Sequence, residues 1–489
     1  MERIFVQASK ITQRILAYLQ EIFRSMGENP PMKTDAGSTP ATLIMMTSQE
    51  YKPFGFHSVS LDEDKCQGCT VCIRHCPTEA IRVRGGKAKI ISDRCIDCGN
   101  CIRVCPHHAK RAIIHKLEDF EGKFKWTVAI PAPSLYGQFP GVEDIDYVLT
   151  ALKRIGFDDV FEVSRAAEIV SDYSRKIIAE GKVPKPVIST ACPAVVRLVN
   201  VRFPDLSNHL LPVRPPIEVA ANIARRRAVR QTGLREDEIG IFFISPCPAK
   251  MTACLAPIAG NYGKVDGILS MSDLYIRIGS EIKKIDEPER LSHSGIIGIG
   301  WAASGGEATA LLKDIYVAAD GIDNCIQVLD EVENYRLNDV DFIELNACTG
   351  GCVGGVLTVE NPFVAKARIH MLRKYLPVSM NKFKEDGADL DIIYADNALA
   401  SPARGLSSDR EEALRMVKQI NDLVEKFPGI DCGACGAPSC KTFAEDVVRG
   451  YGRESDCTFV LRKQIAGMFS QLELPPNILA GETGKKVGE

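Results

Sequence analysis

Apolar positions recur at helical spacing near the beginning of the chain. Over residues 1–26 they fall on one helix face, at Phe5, Ala8, Ile11, Ile15, Leu19, Ile22 and Met26. This spacing predicts an amphipathic helix, which we expect to contact a partner or the domain surface rather than a membrane, because its charges are mixed. The following run, GENPPMKTDAGSTPATLIMM, predicts a linker within residues 1–56, and Met45 or Met46 is an alternative start.

A different pattern extends from about residue 121 to 385, where short apolar runs alternate with helical stretches. The runs WTVAI, PVIST, IGIFFIS and DFIELNA are strand-like. Strands that alternate with helices predict an α/β domain. Beyond it we expect a linker and helix over 386–424, with the helix at about 409–426, and a loose tail over 471–489.

Composition narrows the possible functions without identifying one. The chain has 489 residues, 45% of them hydrophobic, which is enough for about two to four domains with buried cores. Its 60 basic and 63 acidic residues nearly balance, so no global charge attracts nucleic acid or an anionic membrane. No apolar run has the length of a membrane helix, and no secretory signal is visible. We therefore expect no membrane span and a cytoplasmic location.

The 18 cysteines include two regular runs that favour metal ligation over disulfides. Residues 66–77 read CQGCTVCIRHCP and residues 95–106 read CIDCGNCIRVCP, the C-x2-C-x2-C-x3-C-P pattern of bacterial two-cluster ferredoxins. We predict an α+β ferredoxin-like domain over 57–120 with two [4Fe-4S] clusters, in which the fourth cysteine of each run ligates the other cluster. The predicted ligands are Cys66, Cys69, Cys72 and Cys105 for one cluster, and Cys95, Cys98, Cys101 and Cys76 for the other. Zinc or disulfides are the alternatives.

A third cysteine pattern lies near the other end of the chain. The run DCGACGAPSC at 431–440, followed by one more cysteine, has the spacing C-x2-C-x4-C-x16-C. It predicts a [4Fe-4S] module over 425–470, with a helix from about Lys441 and zinc as the alternative. Its ligands would be Cys432, Cys435, Cys440 and Cys457. The run FPGIDCGACGAPSCKTFAEDVVRG resembles the small four-cysteine iron-sulfur module of bacterial electron-transfer and corrinoid proteins.

Six scattered cysteines remain, and scatter favours one site assembled by the fold. Three segments stand out: STACPAVVRLVN from residue 189, SPCPAKMTA from 245 and ELNACTGGCVGG from 344. Together they resemble the three cluster-binding loops of the iron-iron (FeFe) hydrogenases, in the same order and downstream of the same kind of ferredoxin module. AIPAPSLYGQF from 129 and GIGWAASGGEA from 298 also resemble that family. The resemblance implies a hydrogenase catalytic domain over 121–385.

That family carries an H-cluster, a [4Fe-4S] cube joined through a bridging cysteine to a diiron unit with carbon monoxide, cyanide and a dithiolate amine. The resemblance implies that the cube is held by Cys192, Cys247, Cys348 and Cys352, the last also bridging. Lys250 would donate to a distal cyanide, and Ala132, Pro133 and Ser134 would line the proximal one. The spacing of Cys348 and Cys352 predicts both thiolates on one face of a helical turn. Cys254 and Cys325 are left as packed free thiols.

Some positions depart from the fast members of the family. Ala191 stands where they have a proton-passing cysteine, and Ser245 and Asn346 replace methionines. These departures resemble the putatively sensory, low-turnover members. Glu168 and Asp172 lie at i and i+4 on the helix before the first loop, where the family has proton-relay glutamates; a solvated helix face is the alternative.

The resemblance implies reversible splitting of H2 into protons and electrons, slowly and in a hydrogen- or redox-sensing role within an anaerobic cell. Since no flavin, nicotinamide or kinase motif is convincing, we expect a separate redox or signalling protein, besides the hydrogenase maturation proteins. Gly298, Gly300 and Ala303 form a G-x-G-x-x-A pattern, but the context of a dinucleotide site is poorly met. An iron-sulfur assembly protein or an electron-transfer protein without the diiron unit is the alternative.

Overall fold

The computed structural model describes residues 56–257, 263–380, 390–394, 399–400 and 405–471. The predicted amphipathic helix of residues 1–26, the linker after it and residues 472–489 of the predicted tail lie outside this part of the chain.

The ferredoxin-like region consists of two similar halves. Its elements are β1 Val59–Leu61, α1 Val71–Arg74, β2 Ile81–Arg84, β3 Lys87–Ile90, α2 Asn100–Arg103 and β4 Lys110–Ala112. The antiparallel pair β1–β4 joins the two ends of the region, and β2–β3 is a hairpin between the halves. Each short helix begins after a residue in the left-handed conformation, Thr70 or Gly99, which turns the cysteine loop sharply. This arrangement agrees with the predicted α+β fold.

The central part of the chain contains two parallel sheets. One has the order β6–β5–β8–β9, and the other β10–β11–β7. The strands are β5 Trp126–Pro131, β6 Asp159–Val160, β7 Val187–Ile188, β8 Ile239–Ser245, β9 Gly267–Ser270, β10 Tyr316–Asp320 and β11 Phe342–Asn346. All four strand-like runs of the sequence are therefore strands. Strand β8 is buried along its whole length, as expected for a central parallel strand that is covered on both faces.

Helices cover both sheets and connect their strands. They are α3 Ile145–Arg154, α4 Val163–Glu180, α5 Pro193–Arg202, α6 Pro216–Thr232, α7 Pro248–Leu255, α8 Met271–Ile282, α9 Ile296–Gly300, α10 Gly306–Ala310, α11 Ile322–Glu333 and α12 Pro362–Leu372. The larger core surrounds β5 and β8, and the second lies between β7, β11, α5 and α11. The predicted α/β class is confirmed. The G-x-G-x-x-A pattern falls on α9 and does not follow a strand, which removes the outline of a dinucleotide fingerprint.

The last described part of the chain is helical. Its elements are α13 Arg410–Lys426, α14 Cys440–Val448 and α15 Thr458–Gln471. Helices α13 and α14 share a small core built around Phe427 and Phe443. The helices expected near 409–426 and from 441 are thus present within a residue of their predicted bounds. No described helix is long and apolar enough to cross a membrane.

Candidate active site and cluster cavities

Four chemically notable segments follow the carboxyl ends of parallel strands. Cys192 lies four residues after β7, Cys247 two after β8 and Cys348 two after β11, while Ala132 directly follows β5. Strand β5 pairs with β8, so Ala132 and the loop of Cys247 follow adjacent strands. Strand β7 pairs with β11, so the loops of Cys192 and Cys348 also follow adjacent strands. Loops at the carboxyl ends of parallel strands are the usual location of sites in α/β folds.

The first two cysteine loops have the same local design. Cys192 and Cys247 each occupy the position before a helix, and a proline follows as the first helical residue. Proline suits that position because its missing N–H would have no helical partner. Ser245 fixes the second loop, since its Oγ accepts from the N–H of Cys247 at 3.3 Å and donates to the carbonyl oxygen of Cys247 at 2.8 Å.

The third loop differs from the prediction. Between Cys348 and Cys352 the chain does not form a helical turn, because Gly350 and Gly351 have φ values of +81° and +89°. A Cβ atom at Gly351 would lie 2.4 Å from the backbone nitrogen of Ser304. Position 351 therefore requires glycine, because its φ is positive and there is no space for a Cβ atom. A 3-10 turn begins at Cys352.

The four cysteines of these loops nonetheless come together. Burial raises the pKa of the Cys348 thiol, and Cys247, Cys192 and Cys352 lie close enough to raise it further. Cys352 also lines a cavity between these loops. The other predicted site residues in its wall are Ala132, Pro133, Ala191, Lys250 and Asn346.

Lys250 extends from α7 into this cavity. Burial lowers the pKa of its ammonium group, but the negative charge of Cys352 and of the three other cysteines outweighs burial and raises that pKa above its ordinary value. The remaining predicted positions lie beside the cavity wall. Ser134 is buried and donates to the sulfur of Met271 at 3.9 Å, and Ser245 is engaged with the backbone of Cys247.

Two buried glutamates in the cavity wall were missed by the sequence analysis. Glu307 accepts from Ser189 Oγ at 2.5 Å, and Glu344 accepts from Asn346 Nδ2 at 2.8 Å and from the N–H of Ala308 at 2.8 Å. Burial, together with Glu344 nearby, raises the pKa of Glu307 to about 8, and burial also raises that of Glu344. The available signal was a charged residue inside the apolar strand FIELN.

Glu168 and Asp172 are not among the residues that line the cavity. Glu168 is only 2% exposed, so the solvated-face alternative is wrong for it. Its carboxylate accepts from the N–H groups of Gly295 and Met380, which lie on two loops packed against α4. Asp172 forms an ion pair with Arg175 on the same helix.

The cysteines of the ferredoxin-like region surround two cavities of about 340 Å³ each. One is lined by Cys66, Cys69, Cys72 and Cys105, and the other by Cys76, Cys95, Cys98 and Cys101. We call them the outer and the inner cavity. Buried Lys110 lines the outer cavity, and its Nζ has no hydrogen-bond partner among the described residues, which fits a cavity that receives an anionic group. These are the two groups predicted from sequence.

The inner cavity lies against the hydrogenase-like domain. Its lining residue Asp97 accepts from Arg197 Nη1 at 2.8 Å and from Thr252 Oγ1 at 2.7 Å. Arg197 is on α5 and Thr252 on α7, the two helices that begin after Cys192 and Cys247. One buried carboxylate therefore connects a ferredoxin loop to the two helices that follow Cys192 and Cys247.

The remaining cysteines divide into a group of four and two single thiols. Burial raises the pKa of Cys435, and Cys457 and Cys432 lie close enough to raise it further. Cys440 packs in the same small core as Cys435 and Cys457. Of the two single thiols, Cys325 is buried and donates to the carbonyl oxygen of Asn346 at 3.3 Å, and Cys254 is partly buried.

All 18 cysteines lie within the described residues, and none of them forms a disulfide. In the same part of the chain, no three His, Cys, Asp or Glu side chains are grouped closely enough to hold a single metal ion.

The profile of the family described as "Iron only hydrogenase large subunit, C-terminal domain" matches residues 125–317 and 310–356. The "4Fe-4S dicluster domain" matches residues 58–106, and the "Putative Fe-S cluster" family matches residues 427–459. The central part of the chain therefore matches the iron-only hydrogenase family. The iron-sulfur domains flank the hydrogenase domain on both sides, as predicted.

Among known iron-only hydrogenases, the "Periplasmic [Fe] hydrogenase large subunit" of Nitratidesulfovibrio vulgaris is 27% identical over 368 residues, which cover 62% of this chain and 86% of that protein. "Iron hydrogenase 1" of Clostridium pasteurianum is 23% identical over 261 residues, and the match spans less than half of each protein, 44% of this chain and 46% of the relative. A solved structure of a variant of the [FeFe]-hydrogenase HydA1 of Chlamydomonas reinhardtii aligns with a TM-score of 0.39 and 15% identity, covering 50% of this chain and 83% of that one.

Proposed function

We propose that the chain is an FeFe hydrogenase that reversibly splits H2 into two protons and two electrons, slowly and in a hydrogen- or redox-sensing role. The observation that supports this most is the position of Lys250. It places a cation in the lining of a cavity that is also lined by Cys352, Ala132 and Pro133. Four cysteines alone would suit many iron-sulfur proteins, whereas a cation in the same cavity suits a cluster with anionic ligands.

The residues present fit an H-cluster. When bound, that group would supply the H2-binding and redox chemistry, and Cys192, Cys247, Cys348 and Cys352 would hold it. Lys250 would donate charge-assisted hydrogen bonds to its anionic ligands, which are stronger than those of a neutral donor. Ala132 and Pro133 occupy one wall with apolar atoms and exclude water there.

A proton route without a thiol is available on the same wall. Ala191 cannot carry a proton on its side chain, but its N–H bonds to Ser189 Oγ at 3.2 Å, and Ser189 donates to Glu307. We propose that Glu307 and Glu344 exchange protons with the cavity. A carboxyl group with a pKa of about 8 is well matched to proton transfer near neutral pH.

Electrons would travel through the ferredoxin-like region. The inner cavity is joined to α5 and α7 by Asp97, and Arg103 Nη2 donates to the carbonyl oxygen of Gly354 at 2.7 Å beside the third loop. A cluster in the inner cavity would therefore exchange electrons with the active site. A cluster in the outer cavity would exchange electrons with the cluster in the inner cavity. A separate redox or signalling protein is the proposed partner.

The low turnover and the sensing role rest on three positions. Ala191 removes the thiol of a direct relay, and the shorter polar side chains of Ser245 and Asn346 replace methionine. Asn346 donates to Glu344, so this position also ties the carboxylate pair to the cavity wall. Slow exchange of protons would limit the turnover of H2. The site would still bind H2 and change its redox state, which is what a sensor requires.

Infrared spectroscopy tests the proposal. The full chain is matured anaerobically with hydrogenase maturation proteins, and the carbonyl and cyanide stretching region is recorded with and without H2. We expect bands of both kinds and a change in their positions under H2, together with slow H2 evolution from a strong reductant. A protein that holds its iron-sulfur clusters but shows no such bands would be an assembly or electron-transfer protein, the alternative function.

A further inference from the structure

The C-terminal module, residues 425–471, is fixed to the ferredoxin-like region by a buried ion pair. Asp446 on α14 accepts from Arg82 Nε at 2.6 Å and Arg82 Nη2 at 3.0 Å, and from Arg84 Nη2 at 2.9 Å. The side chains of Arg82 and Asp446 are only 7% and 4% exposed. Paired charges with two parallel hydrogen bonds and no access to water define a single geometry. The module therefore has one position on β2 rather than a range of tethered positions.

The same contact holds the cysteine loop of the module by its backbone. Arg84 Nη1 donates to the carbonyl oxygen of Cys435, and Arg74 Nη2 donates to that of Cys432 at 3.0 Å. The N–H of Val83 donates to the carbonyl oxygen of Gly436 at 2.8 Å. Gly436 has a φ of +78°, and a Cβ atom there would lie 1.8 Å from the carbonyl oxygen of Val83, so the two backbones touch. Two guanidinium groups therefore contact the carbonyls of two predicted ligands.

Val83 lies between the outer cavity and the C-terminal cysteine loop. It lines the outer cavity together with Cys66, Cys69, Cys72 and Cys105. Its backbone meanwhile bonds to the residue after Cys435. One residue thus separates the outer cavity from the C-terminal cysteine loop.

We propose that the C-terminal module is the outer end of one fixed electron route, which runs from the active-site cysteines through the inner cavity, the outer cavity and the group of Cys432 and its partners. Each step moves one electron, so that the cluster that gives it is oxidised by one and the cluster that takes it is reduced by one. A partner protein then exchanges electrons at the C-terminal module. The proposal rests on the proposed function only in that H2 supplies the electrons. The contact between the C-terminal module and the ferredoxin-like region does not depend on that function.

Arg74 and Arg84 also act on the charge of the C-terminal cluster. The reduced form of a [4Fe-4S] cluster carries one more negative charge than the oxidised form, and cations and hydrogen bonds near the ligands stabilise it. The arginines therefore raise the reduction potential of the C-terminal cluster and favour its reduction.

Electron paramagnetic resonance of the full chain tests this without the diiron unit. The protein is loaded with iron-sulfur clusters only, reduced stepwise with dithionite, and its iron content measured. In the wild type we expect a broadened, spin-coupled signal, which simplifies in Cys432→Ala with the loss of about four irons. In the double variant Arg74→Gln and Arg84→Gln, which keeps the Arg82–Asp446 pair, we expect unchanged iron but a lower potential for the C-terminal cluster.

Two further variants keep the test decisive. Arg111→Gln makes the same chemical change at an arginine 58% exposed on β4, and the potential should stay at the wild-type value. Arg84→Lys keeps the charge and should restore most of the potential that the glutamine loses. A wild-type spectrum equal to the sum of isolated clusters, or a double variant with an unshifted potential, would overturn the proposal. Because no H2 is involved, coupled clusters in a protein without hydrogenase activity would refute the proposed function alone.

Discussion

The ferredoxin-like region and the hydrogenase cavity collect their cysteines in different ways. In the ferredoxin-like region both groups come from two runs within residues 66–105, and each cavity takes three cysteines from one run and one from the other. Beside the hydrogenase cavity the cysteines come from residues 192–352, on loops that follow strands of two different sheets, and the fold brings them close to one another. Local spacing determines the first kind of site, whereas the second exists only when the whole α/β domain has folded.

The two regions also differ in their charges. Each has one lysine that faces cysteines, Lys110 in the outer cavity and Lys250 in the hydrogenase cavity. The hydrogenase cavity is lined by two buried carboxylates that face each other's charge, Glu307 and Glu344, whereas the buried carboxylate of the inner cavity, Asp97, is paired with Arg197. A site that handles electrons alone needs cations, while a site that also handles protons needs groups that titrate.

The largest difference between the two regions is expected when the lysine of each region is replaced in turn. Lys250→Met removes the donor to cyanide, so we expect loss of the carbonyl and cyanide bands and a fall in H2 evolution of at least about 100-fold, with the cube retained. Lys110→Met makes the matched change in the other region. It should keep the bands and lower the reduction potential of the cluster at the outer cavity, because a neighbouring cation is lost. Identical infrared spectra in the two variants would contradict the role of Lys250.

A somewhat smaller effect is expected from the carboxylates. Glu307→Gln keeps the shape of the side chain but cannot exchange a proton, so H2 evolution should fall by about 100-fold with the infrared bands intact. Asp172→Asn makes the same chemical change outside the cavity and should leave turnover near the wild-type value. Turnover against pH, measured in H2O and in D2O, separates the two. If Asp172→Asn were the slower protein, the route would follow α4 instead.

A gain of function would sharpen the comparison further. Ala191→Cys returns a thiol to the cavity while Ser245 and Asn346 stay unchanged, so we expect a partial gain of about tenfold in H2 evolution and a smaller solvent isotope effect. The measurement uses a strong reductant at saturating concentration. Equal turnover and no isotope effect in either protein would show that protons do not limit the rate.

The smallest effect concerns stability. Burial, with Glu344 nearby, raises the pKa of Glu307 from 4.5 to about 8. Between these values the folded protein holds a proton that the unfolded chain releases, so the free energy of unfolding falls as the pH rises through this window. Glu307→Gln should remove the part of that fall that comes from this proton. Anaerobic denaturant titrations at about pH 5 and about pH 9 measure it, and an equally steep fall in the variant would argue against a raised pKa.

Much of the molecule could be predicted from the sequence because its signals are local. The cysteine groups of the ferredoxin-like region follow from spacing, and the strand runs follow from short apolar stretches between helical ones. The three hydrogenase loops are recognisable because each keeps its cysteine in a short characteristic run. The matched lysine in SPCPAK likewise lies in the cavity with Cys352.

The features that the sequence analysis did not predict depend on tertiary packing. Glu168 lies at helical spacing from Asp172, but only the packed structure reveals that it binds the loops at Gly295 and Met380. Glu307 and Glu344 are far apart in sequence and become a pair in the fold. The turn between Cys348 and Cys352 was predicted wrongly, because two glycines with positive φ replace the helical geometry that the spacing alone suggests.

Asp97 has a mechanical consequence. Its carboxylate is completely buried and is tied at once to Ser58, Arg197 and Thr252. A hinge at this position would have to expose that charge without its partners, at a large desolvation cost. The boundary between the ferredoxin-like region and the α/β domain is therefore rigid. Under the proposed function, the distance between the inner cavity and the active site would stay constant, so that electron entry would not wait for a domain to open or close.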